Sequence, residues 1–240
     1  MNTLTQRGAR VYLTCNTVPS NDEIELLPEF IKTAYDCGID AAIVSDIGCI
    51  ALIKRTVPEL EIDVSYTGGS SKLCNCKRAV QDGVQRVVLA REVDIENIKR
   101  IRDNIPEDMD IEVFVHGAMC VSFSGRCLLS AFMTGRNANK GECAQPCRWK
   151  YHLVEEKRTG RLLWSCLRAM AALISLTLRI CVMIEHLKEL KDAGVTSFKI
   201  EGRAKSAYYT ATVTNAYRAA LDAVKNGEPV PKWAVDEVYR

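Results

Sequence analysis

The sequence predicts an α/β fold built on a parallel sheet, and two observations carry that expectation. Six short runs rich in β-branched and apolar residues alternate with stretches of helical periodicity, at the spacing of βα units. At 240 residues and 48% hydrophobic content, the chain is also long enough for one large domain with a substantial core. A TIM-like parallel (β/α) barrel of eight units is the leading form, and a doubly wound open sheet is the second. With six strands found, the barrel would be incomplete. Residues 1–240 would then form one partial barrel domain with a cysteine-rich insertion at about 117–182.

ARVYLTCN, Ala9 to Asn16, has the β-branched and aromatic content of a strand, and PSNDEIELLPEFIKTAYDCG follows with helical periodicity ending at Gly38. IDAAIVSD (Ile39 to Asp46) and LEIDVSY (Leu60 to Tyr66) are strands on either side of the helical GCIALIKRTVP. RVVLARE (Arg86 to Glu92) is a strand and VDIENIKRIRDNIP a helix. IEVFVHG (Ile111 to Gly117) opens on an apolar run that reads as a buried strand. SFKIEGR (Ser197 to Arg203) is the sixth strand and leads into the helix SAYYTATVTNAYRAALDAVKNG. In a barrel, Cys15, Asn16, Ser45, Asp46, Ser65, Arg91, Glu92, His116, Glu201 and Arg203 would ring the mouth at the strands' carboxyl ends, where such folds carry their chemistry.

Composition narrows the function. A net charge of +2, from 32 basic and 30 acidic residues, makes no bulk electrostatic case for nucleic acid or a membrane surface. There is no signal-like opening segment, and the longest apolar run is too short to span a membrane, so a cytoplasmic location is expected. In that reducing setting the 11 cysteines are not structural disulfides, and clustered ones are metal ligands or catalytic thiols.

The cluster lies just beyond the strand that ends at Gly117. Cys120, Cys127, Cys143 and Cys147 are separated by six, fifteen and three residues, among Gly117, Gly125, Gly135 and Gly141. Thiolate is a soft ligand that suits an iron–sulfur cluster, or less well here zinc, although the spacing matches no compact ferredoxin run or zinc ribbon. Glycines let backbone turn closely around a bulky inorganic core, with amides free to bond its sulfurs, so Gly117 and Gly125 are cofactor-binding candidates. The plain alternative is four small buried residues under a loop, and that reading is kept for Cys15, Cys37 and Cys49.

His116 has three readings: a general base, a neighbour of the cluster, or a satisfied histidine at a strand end. Glu201 and Arg203 are catalytic candidates as a charged pair at the mouth, with Arg203 available to phosphate or carboxylate; a structural ion pair is the alternative. Glu112 opens its strand on the opposite, stability face. Arg126, Arg136, Lys140, Arg148, Trp149, Lys150 and Tyr151 interleave cations and aromatics as a nucleic-acid strand would require, or form an ordinary solvated flank.

Glu112, Phe114, Gly117, Ala118, Met119, Cys120, Gly125, Cys127 and Ser130, continued by SGRCLLS, MTGR, CAQPCRWKY, VEEKR, FKIEGR and KSAYY, resemble the signature of the collagenase-like peptidases of family U32. The likeness covers nearly the whole chain and is nearest to the bacterial branch linked to tRNA uridine hydroxylation. It implies a barrel domain, tRNA as substrate, prephenate as oxygen donor and a four-iron four-sulfur cluster on the cysteines of this region. Relatives in the resembled family hydroxylate ribosomal RNA and ubiquinone precursors without molecular oxygen. The expected ligands are Cys120, Cys127 and Cys143, with Cys181 or Cys147 as the fourth. Family members open with two further βα units, so this chain resembles one that begins at the third strand and is cut short at its end.

Two stretches depart from the family pattern. A codon string for TQAGHQNYATA, read from its third base, encodes TGGSSKLCNCK, which is Thr67 to Lys77. Codons for EGDGGTYFSDSKDLC, read one base late, yield RAMAALISLTLRICV, Arg168 to Val182. Both windows are expected to be frame-shifted, so Cys74, Cys76 and Cys166 carry no chemistry, while Cys181 overlaps the cysteine of SKDLC.

Three functions follow: an iron–sulfur enzyme hydroxylating tRNA, a peptidase, or a cluster-bearing subunit that needs a protein partner. The peptidase reading lacks HExxH, GxSxG and any cysteine–histidine pair beyond Cys120 with His116.

Overall fold

Six parallel strands lie side by side in the order in which the chain makes them. The structure, a computed structural model, describes residues 7–65, 73–120, 122, 127–149, 154–155, 158–162, 180–203 and 205–239. Strand β1 (Tyr12–Cys15) leads through helix α1 (Asn21–Asp36) to β2 (Ala41–Val44), and α2 (Ile47–Thr56) leads to β3 (Glu61–Val64). Helix α3 (Leu73–Gln81) precedes β4 (Arg86–Val88), and α4 (Ile95–Arg102) precedes β5 (Asp110–Ala118). The insertion contributes α5 (Leu129–Thr134), the hairpin β6 (Val154–Glu155) with β7 (Arg158–Leu162), and β8 (Ile180–Val182). Helix α6 (Leu187–Asp192), β9 (Ser197–Ile200), α7 (Ala207–Asn226) and α8 (Lys232–Val238) complete the described elements.

Local chemistry sets the helix starts. Ser20 and Glu23 form a reciprocal capping box at α1, while Asp46, Asp94 and Ser206 each accept an early amide of α2, α4 and α7. Such caps are each worth about 1 kcal/mol.

The sheet order is β1-β2-β3-β4-β5-β9, every neighbour parallel, with β8 added antiparallel to the end of β5. Right-handed crossovers in a sheet that never reverses direction place all its helices on one face. The doubly wound alternative is therefore excluded, since it needs a reversal of strand order. The result is a curled sheet of parallel strands. It remains open, with β1 at one edge among the described residues.

On the helix-facing side Ile62, Val64, Val87, Leu89, Ile111, Val113 and Val115 pack against Ile31, Ile53, Ile98, Ile101, Leu187 and Tyr217. Each fully buried aliphatic side chain contributes roughly 1.5–3 kcal/mol. The other face is ionic. Arg86 bonds Asp63 at 3.0 Å and Asp110 at 2.9 Å and stands 3.7 Å from Glu112. Glu112 in turn takes Lys199 and Ser197, each at 2.7 Å. Glu112, read as a stability residue, is buried in this layer.

The two windows read as frame-shifted fall mostly outside the described residues. Of the first, Leu73–Lys77 opens α3, with Cys76 buried and Cys74 exposed. Of the second, Ile180–Val182 forms β8. Among the described residues, no helix is long and apolar enough to cross a membrane.

Candidate functional site

The carboxyl ends of β4, β5 and β9 converge. Arg91 follows β4, Gly117 and Ala118 finish β5, and Glu201 follows β9. Arg91 Nη2 donates to Glu201 Oε2 at 2.7 Å, and the Ala118 amide donates to the same oxygen at 3.0 Å. Arg91 Nη1 donates to the Ala118 carbonyl. The guanidinium lies 4.2 Å from the centre of the Phe114 ring, and its side chain is 8% exposed.

Gly117 makes this approach sterically feasible. Its φ is +146°, and a Cβ there would stand 2.6 Å from the Glu201 Cβ. Gly117→Ala is expected to lose about 1–3 kcal/mol through backbone strain and displacement of Glu201. An unchanged urea midpoint would refute that expectation.

The expected pairing of Glu201 with Arg203 is not made. The chain leaves β9 into a turn between them, so Arg203 Nη2 donates to Asn16 Oδ1 at 3.1 Å. Its guanidinium also lies against Gly141. Further contacts run the same way: the Val18 amide meets the Asn139 carbonyl at 3.4 Å, and Lys140 meets Glu23 at 2.7 Å. The insertion thus bridges from the last parallel strand to the loop after β1, joining ends that no strand pairing joins among the described residues.

His116 is 1% exposed. The β5–β9 register slips between Phe114 and His116, and the ring lies against α7, with centroids 5.5 Å from Tyr217 and 5.9 Å from Tyr209. Its Nδ1 is 3.4 Å from the Tyr217 hydroxyl, which donates to the Val115 carbonyl at 2.7 Å. Burial, with a smaller push from Lys205, lowers its pKa and favours the neutral ring. This placement supports the reading as a satisfied histidine.

The thiols follow at the insertion. Cys120 and Cys143 are exposed, and Cys127, Cys147 and Cys181 are partly buried. The Cys127 sulfur accepts the Leu129 amide at 3.4 Å, and the Cys143 sulfur accepts the Gln145 amide at 3.3 Å. Burial raises the Cys147 pKa, against a downward pull from Arg148 and with a further upward push from Cys143, Cys120 and Cys127. Cys181 sits opposite Gly117 in the β5–β8 register, its thiol raised by burial and drawn down by Arg91. Among the described residues no three His, Cys, Asp or Glu side chains are grouped so as to hold a metal ion.

Ser130 is a residue whose role the spacing of the cysteines did not reveal. Buried on α5, its hydroxyl accepts the Ala144 amide at 3.0 Å and so ties the Cys127 segment to the Cys143–Cys147 turn. Its place in the sequence signature was the available clue. Cys49 and Cys76 are pushed up to about 11, chiefly by burial, and are inert core thiols. Gly125, Arg126, Lys150, Tyr151 and Cys166 lie outside the described residues.

Fold and site together define an α/β protein with a curled parallel sheet and a thiol-rich insertion at its strand ends. The chain belongs to peptidase family U32, whose model matches residues 1–239. It is 34% identical over 260 residues to tRNA hydroxylation protein P of Escherichia coli, covering 92% of this chain and 57% of that protein. It is 36% identical over 217 residues to tRNA hydroxylation protein P1 of Bacillus subtilis, covering 90% and 50%. The chain thus spans about half the length of these relatives. A solved U32 peptidase superposes with a TM-score of 0.45 at 14% identity, over 68% of this chain and 66% of that one.

Proposed function

We propose that this chain belongs to an RNA-modifying enzyme that hydroxylates a uridine of tRNA in the cytoplasm. It would use a four-iron four-sulfur cluster on Cys120, Cys127 and Cys143, with Cys181 or Cys147 as the fourth ligand. The observation that carries the reading is an insertion with four cysteines that begins where β5 ends, two of whose sulfurs, those of Cys127 and Cys143, accept backbone amides. Names given to similar proteins in two bacteria support the substrate class. When bound, the cluster supplies one-electron chemistry. The chain's own residues bind and orient. Exposed Arg136 and Trp149, with Phe132 at 89% exposure on the neighbouring α5, offer cation and stacking contacts to an RNA strand.

Prephenate as oxygen donor follows from the family resemblance; a cleft of about 510 Å³, lined in part by Arg91, Phe114, Asp94, Glu96 and Met183, includes one candidate thiol, Cys181. The sheet is proposed as the larger part of a TIM-like (β/α) barrel lacking its first two βα units. Its one-directional winding and the Arg203–Asn16 contact between its outer strands support this.

The peptidase reading gains little from the geometry, because the histidine that would activate Cys120 is packed beneath Tyr209 and Tyr217. Anaerobically produced protein, supplied with prephenate and undermodified tRNA, is expected to generate hydroxyuridine detectable by mass spectrometry of nucleosides. Cleavage of gelatin without hydroxyuridine would replace the hydroxylase reading with the peptidase one.

A further inference from the structure

We infer that Arg91 and Glu201 form a clamp on a single peptide unit and thereby set where Cys120 projects from the end of β5. The inference rests on the cluster reading above. Ala118 is held at both polar ends: its amide donates to Glu201 Oε2 at 3.0 Å, and its carbonyl accepts Arg91 Nη1. The same carboxylate oxygen accepts Arg91 Nη2 at 2.7 Å, closing the ring of bonds. Glu201 is itself fixed, because its amide donates to the His116 carbonyl at 2.9 Å. Arg91 is fixed by the Phe114 ring.

The location argues for positioning. A largely buried ion pair such as this, with the Arg91 side chain 8% and the Glu201 side chain 25% exposed, gives little net stability, since desolvation offsets most of the attraction. This one is placed at the residue where β5 leaves the sheet, two positions before the first thiol. Gly117 adds a second, independent sign, because its missing Cβ is what admits Glu201 to the strand. Only a forked guanidinium reaches a carbonyl and a carboxylate with separate nitrogens, so lysine is no equivalent. Arg91 and Glu201 are positioning residues acting through the Ala118 backbone.

The test uses the full chain as wild type, Glu201→Ala, Glu201→Gln and Arg91→Lys, with melting temperature as the folding control. Iron, acid-labile sulfide and the electron paramagnetic resonance spectrum of the reduced protein are measured after reconstitution. Glu201→Ala and Arg91→Lys are expected to lose about 10–100-fold in apparent cluster affinity and to alter the spectrum. Glu201→Gln should restore both, because its amide oxygen accepts the same two N–H groups.

Wild-type iron and spectrum in folded Glu201→Ala would overturn the clamp. If Glu201→Ala does not fold, Arg91→Lys decides by the same criteria. If wild type takes up no iron, the cluster reading fails separately, and the clamp is judged on maleimide labelling of Cys120. A several-fold rate change in Glu201→Ala, reversed in Glu201→Gln, would sustain it; equal rates would overturn it.

Discussion

Cys120→Ala is expected to abolish cluster binding, taking iron and acid-labile sulfide from near-stoichiometric levels in anaerobically produced protein to background. The reason is geometric. Cys120 is the thiol nearest in sequence to the ordered end of β5, only two residues beyond Ala118, whereas Cys127 and Cys143 hang on the insertion. A cluster held by four thiolates loses a ligand and its charge when that thiol is removed. Cys74→Ala, on the exposed side of α3, should change nothing. Comparing Cys147→Ala with Cys181→Ala identifies the fourth ligand, because only the true one lowers iron. A folded wild-type protein containing neither iron nor sulfide would defeat the cluster altogether.

Arg86→Met is expected to cost about 3–5 kcal/mol of stability, because it leaves the buried Asp63 carboxylate without its cation, while Glu112 keeps Lys199. Asp63 and Glu112 are both buried and both face Arg86. The loss should also depend on pH. Burial pushes the Asp63 carboxyl up to about 6 from 3.8, restrained by Arg86 and pushed further by Glu112. A folded pKa above the unfolded one favours the neutral acid in the fold. Its contribution is complete below about 4 and fades as pH rises through about 6. Without Arg86 the restraint is gone and the folded pKa rises further. The deficit of the variant should therefore be larger at about pH 8 than at about pH 5. Urea titrations of both proteins at the two pH values measure this, and a deficit below about 1 kcal/mol at both would show that the layer tolerates its own disruption.

Much of the fold was legible because it depends on local patterns. The six predicted strands are the six parallel strands, and three of the helices between them, α1, α2 and α4, begin at side-chain caps. Boundaries moved where tertiary contacts intervened. RVVLARE pairs as a strand only at Arg86–Val88, and its Arg91 turns over Phe114 instead of extending the sheet. Strand β8 was not anticipated, because three residues carry no periodic signal of their own and take strand form from the end of β5.

The site was legible in its residue types and less so in its pairings. Four cysteines in a glycine-rich stretch marked the insertion, and the mouth residues Arg91, His116 and Glu201 were all named from their strand ends. Their partners were not readable. Glu201 and Arg203 are close in sequence, yet Glu201 pairs with Arg91, which lies 110 positions away. His116 was placed at the mouth from its strand end, but its ring packs under α7, beyond a slip in the β5–β9 register.

By itself the sequence determined the alternation of strands and helices, the thiol-rich insertion and the family, since periodicity and residue type act over a few neighbouring positions. The tertiary structure alone decided the one-directional winding of the sheet, the ionic layer around Arg86, the burial of His116 and the clamp on Ala118. Those depend on which side chains meet across strands far apart in the chain, and such meetings are fixed only when the whole sheet is assembled.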